Sequence, residues 1–164
     1  MAVIVVGGSG QGAGKTALVC GVIAALAEFG WTAVKITNHA HGQREAIWEE
    51  RDAGRGTDTA RYLAAGARRA LLVTAGDDEL ALRLGQLEAM LEPGAHVIYE
   101  SNRIVEHVRA DVCLAVGGDA EGVPKPSFRG LVERADAMVS REGAKSIDGG
   151  SKRLFRLARL DSIS

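Results

Sequence analysis

The sequence is short of aromatic residues and cysteine, and its charges nearly cancel. Only 4% of the residues are aromatic, and the formal net charge is −1, so bulk charge favours neither nucleic acid nor an anionic membrane as a partner. No apolar run approaches the roughly 20 residues that cross a bilayer. The two cysteines, Cys20 and Cys113, lie in apolar segments and are expected to stay reduced, as in the cytoplasm.

The chain is rich in glycine and of ordinary globular composition otherwise. Its 164 residues are enough for one core, and we predict a single domain over residues 1–164. Short apolar strands alternating with helices predict an α/β fold of three layers, with helices on both faces of a mostly parallel sheet. Strands are predicted at 2–6, 32–36, 70–73, 96–100, 112–116 and 137–139, and helices at 14–29, 57–65, 80–91 and 128–134. Residues 40–56 are predicted to form a mobile loop, and residues 154–160 are compatible with an edge strand or a helix.

A glycine-rich loop follows the first predicted strand and precedes the first helix. The loop matches the phosphate-loop signature Gly-x-x-x-x-Gly-Lys-Ser/Thr, except that a serine opens it, and this context predicts a P-loop NTPase fold. In this interpretation Lys15 reaches the β- and γ-phosphates and Thr16 binds Mg²⁺, while the helix N-terminus faces the anion. The alternative is a plain strand-to-helix turn with a surface lysine. The predicted phosphate-binding residues are Ser9, Gly10, Gln11, Gly12, Ala13, Gly14, Lys15, Thr16 and Ala17.

A phosphate loop needs an acidic partner for its metal ion. Glu100 ends a predicted strand, and in α/β sheets ligands bind at the carboxyl ends of the strands. We therefore predict that Thr16 and Glu100 are the Mg²⁺ ligands. The alternative is that Glu100 is a solvated glutamate at the end of its strand.

Three segments resemble the molybdopterin-guanine dinucleotide biosynthesis protein B family. They are the glycine-rich loop at 8–16, the strand and its end at 33–39, and the segment 57–67. The chain keeps the positions of Lys35, Thr37 and His39 in the family motif Ile-Lys-His-Thr-His-His, while Ile36 and Asn38 replace two histidines. Glu100 matches a family glutamate, but Ser101 and Asn102 replace the glycine and aromatic residue that follow it. The resemblance covers residues 2–116.

The resemblance implies a GTP-binding accessory protein that assists the attachment of a nucleotide to molybdopterin and hydrolyses GTP slowly. A molybdopterin-processing protein and a second copy of the chain are the implied partners. The departures at Ile36, Asn38, Ser101 and Asn102 fall where a pterin or partner contact is expected. The resemblance thus favours an adaptor. The alternatives are a small-molecule kinase or ATP-dependent synthetase with the 40–56 loop as its lid, and a metabolic regulator that changes shape with the nucleotide.

Other polar residues have two interpretations each. Lys35 places a second positive charge on the phosphates or extends along the sheet into solvent. Asp58 holds or orients a water at the metal, or stabilises the dipole of its helix. Lys15, Asp58 and Glu100 are accordingly the predicted catalytic residues. His39 and His41 make only a weak case for zinc, because no cysteine or carboxylate lies at ligand spacing.

The segment 123–127 is expected to approach the nucleotide base, and Lys125 is predicted to lie along the purine. The sequence has no Asn-Lys-x-Asp motif to select guanine. GTP is the nucleotide implied by the resemblance, and ATP remains the alternative.

Overall fold

The computed structural model describes residues 1–38, 45–117, 125–140 and 143. Two short 3-10 turns lie at Ala27–Phe29 and Arg103–Glu106. The described ranges contain the strands β1 (Val3–Gly8), β2 (Thr32–Thr37), β3 (Ile47–Glu50), β4 (Arg69–Thr74), β5 (Val97–Glu100), β6 (Val112–Gly117) and β7 (Ala137–Ser140), and the helices α1 (Lys15–Ala25), α2 (Asp58–Ala64), α3 (Leu80–Met90) and α4 (Pro126–Val132).

The seven strands form one sheet in the order β3-β4-β2-β5-β1-β6-β7. Every neighbouring pair is parallel except β3 and β4. This confirms the predicted α/β class with a mostly parallel sheet. Strand β1 lies between β5 and β6, and the chain crosses from one side of it to the other. Ligands of open α/β sheets bind at such a switch point, outside the carboxyl ends of the strands.

Helices cover both faces of the sheet, because side chains on each strand alternate between them. On one face, Val6 of β1 packs in a core with Leu18 of α1 and Tyr62 of α2. On the other face, Val5 packs with Leu84 of α3 and with residues of α4. The arrangement is compatible with the predicted three layers. None of the helices in the described ranges is long and apolar enough to span a membrane.

The predicted mobile loop over residues 40–56 is wrong at residues 47–50. Residues 47–50 form β3, which extends the sheet antiparallel to β4. The Thr74 N–H donates to the Ala46 carbonyl at 2.8 Å, and the Arg69 guanidinium grips both oxygens of Glu49 at 2.8 and 3.1 Å. These partners are distant in sequence, so the polar composition of the segment gave no sign of them. Residues 39–44, with His39 and His41, and the segment 154–160 lie outside the described residues.

Helix α1 is shorter than predicted. It ends at Ala25, and the predicted last turn becomes a 3-10 turn closed by Gly30, whose φ is 60°. The Trp31 indole N–H donates to the Leu26 carbonyl at 2.9 Å. This contact satisfies a carbonyl that the end of a helix leaves open.

Candidate functional site

The glycine-rich loop curls between the carboxyl end of β1 and the first turn of α1. Gly12 and Gly14 have φ values of 73° and 103°, which residues with a Cβ rarely adopt. Gly14 directly precedes α1, and no side chain caps this helix N-terminus. The Lys15 ammonium folds back over the loop and donates to the Gly10 carbonyl at 2.7 Å. The loop therefore exposes backbone N–H groups beside a lysine, a combination suited to an anion.

The Asn102 side chain holds the start of this loop. Its Oδ1 accepts from the Gly8 N–H at 2.7 Å, and its Nδ2 donates to the Gly8 carbonyl at 2.9 Å. Both backbone polar groups of Gly8 are thus fixed by a residue that follows β5. Space is also tight here, since a Cβ on Gly8 would lie 2.7 Å from Cγ of Lys15. In the sequence, Asn102 stood out only as a departure from a family pattern, and nothing there predicted this contact.

Lys35 and Glu100 are neighbours in the sheet. The register pairs Glu100 of β5 with Val6 of β1 on one side and with Lys35 of β2 on the other. Val6 belongs to the core under α1 and α2, so the side chains of Lys35 and Glu100 emerge on that face. Glu100 is the last residue of β5 and Lys35 lies two residues before the end of β2, and both line a cavity at this edge of the sheet. The Lys35 ammonium lies 3.2 Å from Oε1 of Glu100.

Glu100 is a buried carboxylate with donors on both oxygens. It is 3% exposed. The Thr16 hydroxyl of α1 donates to Oε2 at 2.8 Å, and the Tyr62 hydroxyl of α2 donates to the same oxygen. Two helices and two strands therefore converge on one carboxylate. The proximity of Thr16 and Glu100 was predicted from the sequence, whereas the contact of Tyr62 was not.

Asp58 enters the site from the first turn of α2. Thr57 caps the helix by accepting a hydrogen bond from the Ala60 N–H at 3.1 Å. The Asp58 carboxylate pairs with the Lys35 ammonium and lies 3.8 Å from the Arg61 guanidinium. Lys35 thus bridges Asp58 and Glu100 and does not extend freely into solvent.

The charges at the site shift the pKa values of three groups. Burial alone would lower the pKa of Lys35, but the Glu100 and Asp58 carboxylates outweigh burial and raise it. Burial lowers the pKa of Lys15, and the nearby Lys35 and Lys125 ammonium groups lower it further, while Glu100 opposes them. Burial and the Glu100 carboxylate raise the pKa of Tyr62 well above its usual range, so its hydroxyl stays protonated and donates.

Glu50 is a second buried carboxylate that sequence reasoning missed. It is 3% exposed, at the end of β3. Its oxygens accept hydrogen bonds from the N–H groups of Arg51 and Asp52, both at 3.1 Å, and from the Thr57 hydroxyl at 3.0 Å. Glu50 therefore fixes the turn that leads into α2, the helix that carries Asp58 and Tyr62. Its position in a polar run gave no signal of burial.

One cavity of about 1680 Å³ joins these groups. Its lining includes every residue predicted to bind phosphate, metal or base, and extends past them to Asp77, Arg103 and His107. Lys125 lines it just before α4. Of its predicted loop, Pro126 and Ser127 begin α4, and residues 123 and 124 lie outside the described residues. The structure thus brings the predicted site together at the carboxyl ends of β1, β2 and β5.

The metal-ligating side chains at the site are few. Within the described ranges, no group of three or more His, Cys, Asp or Glu residues is arranged to hold a metal ion. Mg²⁺ commonly takes one or two protein carboxylates and keeps several waters, and it also binds substrate phosphates. The oxygens of Thr16, Glu100 and Asp58 fit Mg²⁺ in that mode and do not fit an all-protein cage.

Comparison with known proteins adds no relative to this picture. The chain matches no family model, no curated protein and no solved structure.

Proposed function

We propose that the chain has a P-loop NTPase fold and binds a nucleoside triphosphate with Mg²⁺ at the glycine-rich loop. The observation that carries the proposal is the meeting of Lys15, Thr16 and Glu100 at the carboxyl ends of β1 and β5. A lysine, a hydroxyl and a carboxylate around a curled backbone are the groups that a magnesium triphosphate requires. A surface turn would not need a carboxylate that is 3% exposed beside it.

Each group has a defined role in this proposal. The loop N–H groups and Lys15 bind the phosphates, and Lys125 lies along the base. Thr16 and Glu100 hold Mg²⁺, with Asp58 acting through a water. Lys35 adds positive charge at the terminal phosphate. Mg²⁺, when bound, neutralises phosphate charge and orients the terminal phosphoryl group.

The nucleotide is GTP in the proposed function, with ATP as the alternative, and turnover is slow. Asp58 and Glu100 are both paired with Lys35, so neither is a ready base for an attacking water. Slow hydrolysis suits an accessory protein of molybdenum-cofactor maturation, the role implied by the resemblance of residues 2–116. We propose such an adaptor in the cytoplasm, working with a molybdopterin-processing protein.

Calorimetric titration with GTP and ATP tests the nucleotide site. Lys15→Ala removes a charge-assisted phosphate contact worth about 1.5–3 kcal/mol, and we expect at least a tenfold loss of affinity. Arg68→Ala is the matched control, since it removes a positive charge from an exposed residue paired with Glu92. Equal affinity in wild type and Lys15→Ala would refute the proposal.

Native mass spectrometry of the purified protein tests the finer assignment. We expect a retained guanine nucleotide or a pterin, and a mass corresponding to a homodimer. Retained adenine nucleotide alone would favour ATP. A protein that retains neither a nucleotide nor a pterin and has the mass of a monomer would count against the adaptor.

The size of the cavity favours a second candidate, a small-molecule kinase or synthetase. Ligand pockets commonly enclose about 300–1,000 Å³, and this cavity continues past the loop to Asp77 and Arg103. The extra space could hold an acceptor beside the terminal phosphate. Strand β3 occupies residues 47–50 of the 40–56 segment that we predicted as a lid, so this part of the segment belongs to the sheet. Fast phosphate release by the isolated protein would favour this enzyme over the adaptor.

A further inference from the structure

We propose that Tyr62 is a positioning residue that sets the orientation of Glu100 for the metal ion. The proposal rests on the magnesium-binding function proposed above and adds a residue that was not among the predicted site residues. Tyr62 does not touch the ligand in this account; it acts through the carboxylate.

The first support is the geometry of the hydroxyl. Tyr62 is fully buried in the core between the sheet and helices α1 and α2. Its hydroxyl reaches the end of β5 and donates to Oε2 of Glu100, 38 residues away in the chain. The ring alone would fill the core, and a buried tyrosine hydroxyl usually has a hydrogen-bond partner. Here its partner is the predicted metal ligand.

The second support is the count of donors on the carboxylate. An ionised carboxylate offers about four acceptor positions. Thr16 and Tyr62 donate to Oε2, and Lys35 lies against Oε1. These three donors restrict rotation of the carboxylate and leave roughly one acceptor position. Partners of this kind orient metal ligands in proteins.

The third support is the spacing on α2. Asp58 and Tyr62 are four residues apart, so they project from the same side of the helix. Asp58 contacts Lys35, Tyr62 contacts Glu100, and Lys35 contacts Glu100. Helix α2 therefore contacts both members of the Lys35–Glu100 pair. Any shift of α2 would move both of them.

The chain offers a matched control because it has only two tyrosines. Tyr99 is also buried in the sheet, but it faces the opposite core, with α3 and α4. Tyr62→Phe and Tyr99→Phe thus remove the same atom from the two faces of one sheet. Only the first removes a donor from Glu100.

Triphosphate affinity is measured with Mg²⁺ and with EDTA in wild type and both variants. Loss of such a supporting contact typically weakens metal binding about 10–100-fold. We expect Tyr62→Phe to lose about tenfold or more of the affinity gained from Mg²⁺ and to keep its affinity in EDTA. Tyr99→Phe should match the wild type in both. A purely structural role would lower both affinities together and would overturn the proposal.

Fluorine NMR provides a test that does not require the Tyr62→Phe variant to fold. Incorporation of 3-fluorotyrosine gives two resonances, which Tyr99→Phe assigns. Addition of Mg²⁺ to the triphosphate complex should shift the Tyr62 resonance and leave that of Tyr99 in place. If the nucleotide affinity of the wild type is the same with and without Mg²⁺, the proposed function and this inference are both overturned. A normal Mg²⁺ effect, undiminished in Tyr62→Phe and without a Tyr62 shift, overturns the inference alone.

Discussion

The Thr16 hydroxyl lies 2.8 Å from Oε2 of Glu100, although 84 residues separate them in the chain. Thr16 lies in the first turn of α1, and Glu100 is the last residue of β5. The two elements meet because β5 is the immediate parallel neighbour of β1, which leads into α1. A shared cation requires that the two strands be neighbours and that the two oxygens lie close together, and both conditions are met. The binding of Mg²⁺ itself stays a prediction.

Glu100→Gln should abolish the effect of Mg²⁺ on triphosphate binding. The amide keeps the size of the side chain but removes the negative charge that a Mg²⁺ ligand provides. We expect the affinity in EDTA to stay the same or rise, because a negative charge near the phosphates is lost. Calorimetry with and without Mg²⁺ measures both. A wild-type Mg²⁺ effect in the variant would remove Glu100 from the metal site.

Asn102→Ala should destabilise the protein and weaken phosphate binding together. Its loss leaves the Gly8 N–H and carbonyl without the partners described above, at a cost of about 1–3 kcal/mol. Chemical denaturation gives the unfolding free energy, and nucleotide titration gives the affinity. Asn102→Asp is the companion variant, because it keeps the acceptor for the Gly8 N–H and places a carboxylate oxygen against the Gly8 carbonyl. If both variants behave like the wild type, Asn102 does not hold the loop.

Gly7→Ala should lower stability through steric conflict under the loop. A Cβ at Gly7 would lie 2.3 Å from Cδ1 of Leu131 and 2.5 Å from Oδ1 of Asn102. Overpacking of this kind costs about 1–3 kcal/mol. Gly85→Ala is the control, since Gly85 lies in α3 with open space around it, and alanine there should stabilise by up to about 1 kcal/mol. Thermal unfolding should thus shift in opposite directions for the two variants.

The Glu49–Arg69 pair should contribute to stability only above acidic pH. The hydrogen bonds from Arg69 lower the pKa of Glu49 below its usual range. A carboxyl group with a lowered pKa in the folded state adds stability above its unfolded pKa, and this is lost as pH falls through the folded pKa. Glu49→Gln should therefore cost about 0.2–1 kcal/mol at neutral pH and nothing in strong acid. A difference independent of pH would contradict the ion pair as the link between β3 and β4.

The sequence was sufficient for the features that depend on local pattern. Apolar runs located the parallel strands, and the glycine-lysine-threonine spacing located the loop. The features that it missed depend on contacts between distant segments. Strand β3 needs the edge of β4, and Lys35 is held by carboxylates 23 and 65 residues away. The hydroxyl of Tyr62 and the amide of Asn102 acquire a role only when the sheet order places β5 next to β1.

The central claim is a magnesium triphosphate site at Lys15, Thr16 and Glu100. Electron paramagnetic resonance tests it most directly, in mixtures of wild-type protein and GTP in which Mn²⁺ replaces Mg²⁺. The account predicts that each chain binds one Mn²⁺, and only when the nucleotide is present. Glu100→Gln should lose this bound Mn²⁺. A spectrum indistinguishable from that of Mn²⁺ and GTP without protein, at concentrations where binding should be complete, would contradict a magnesium triphosphate site at Lys15, Thr16 and Glu100.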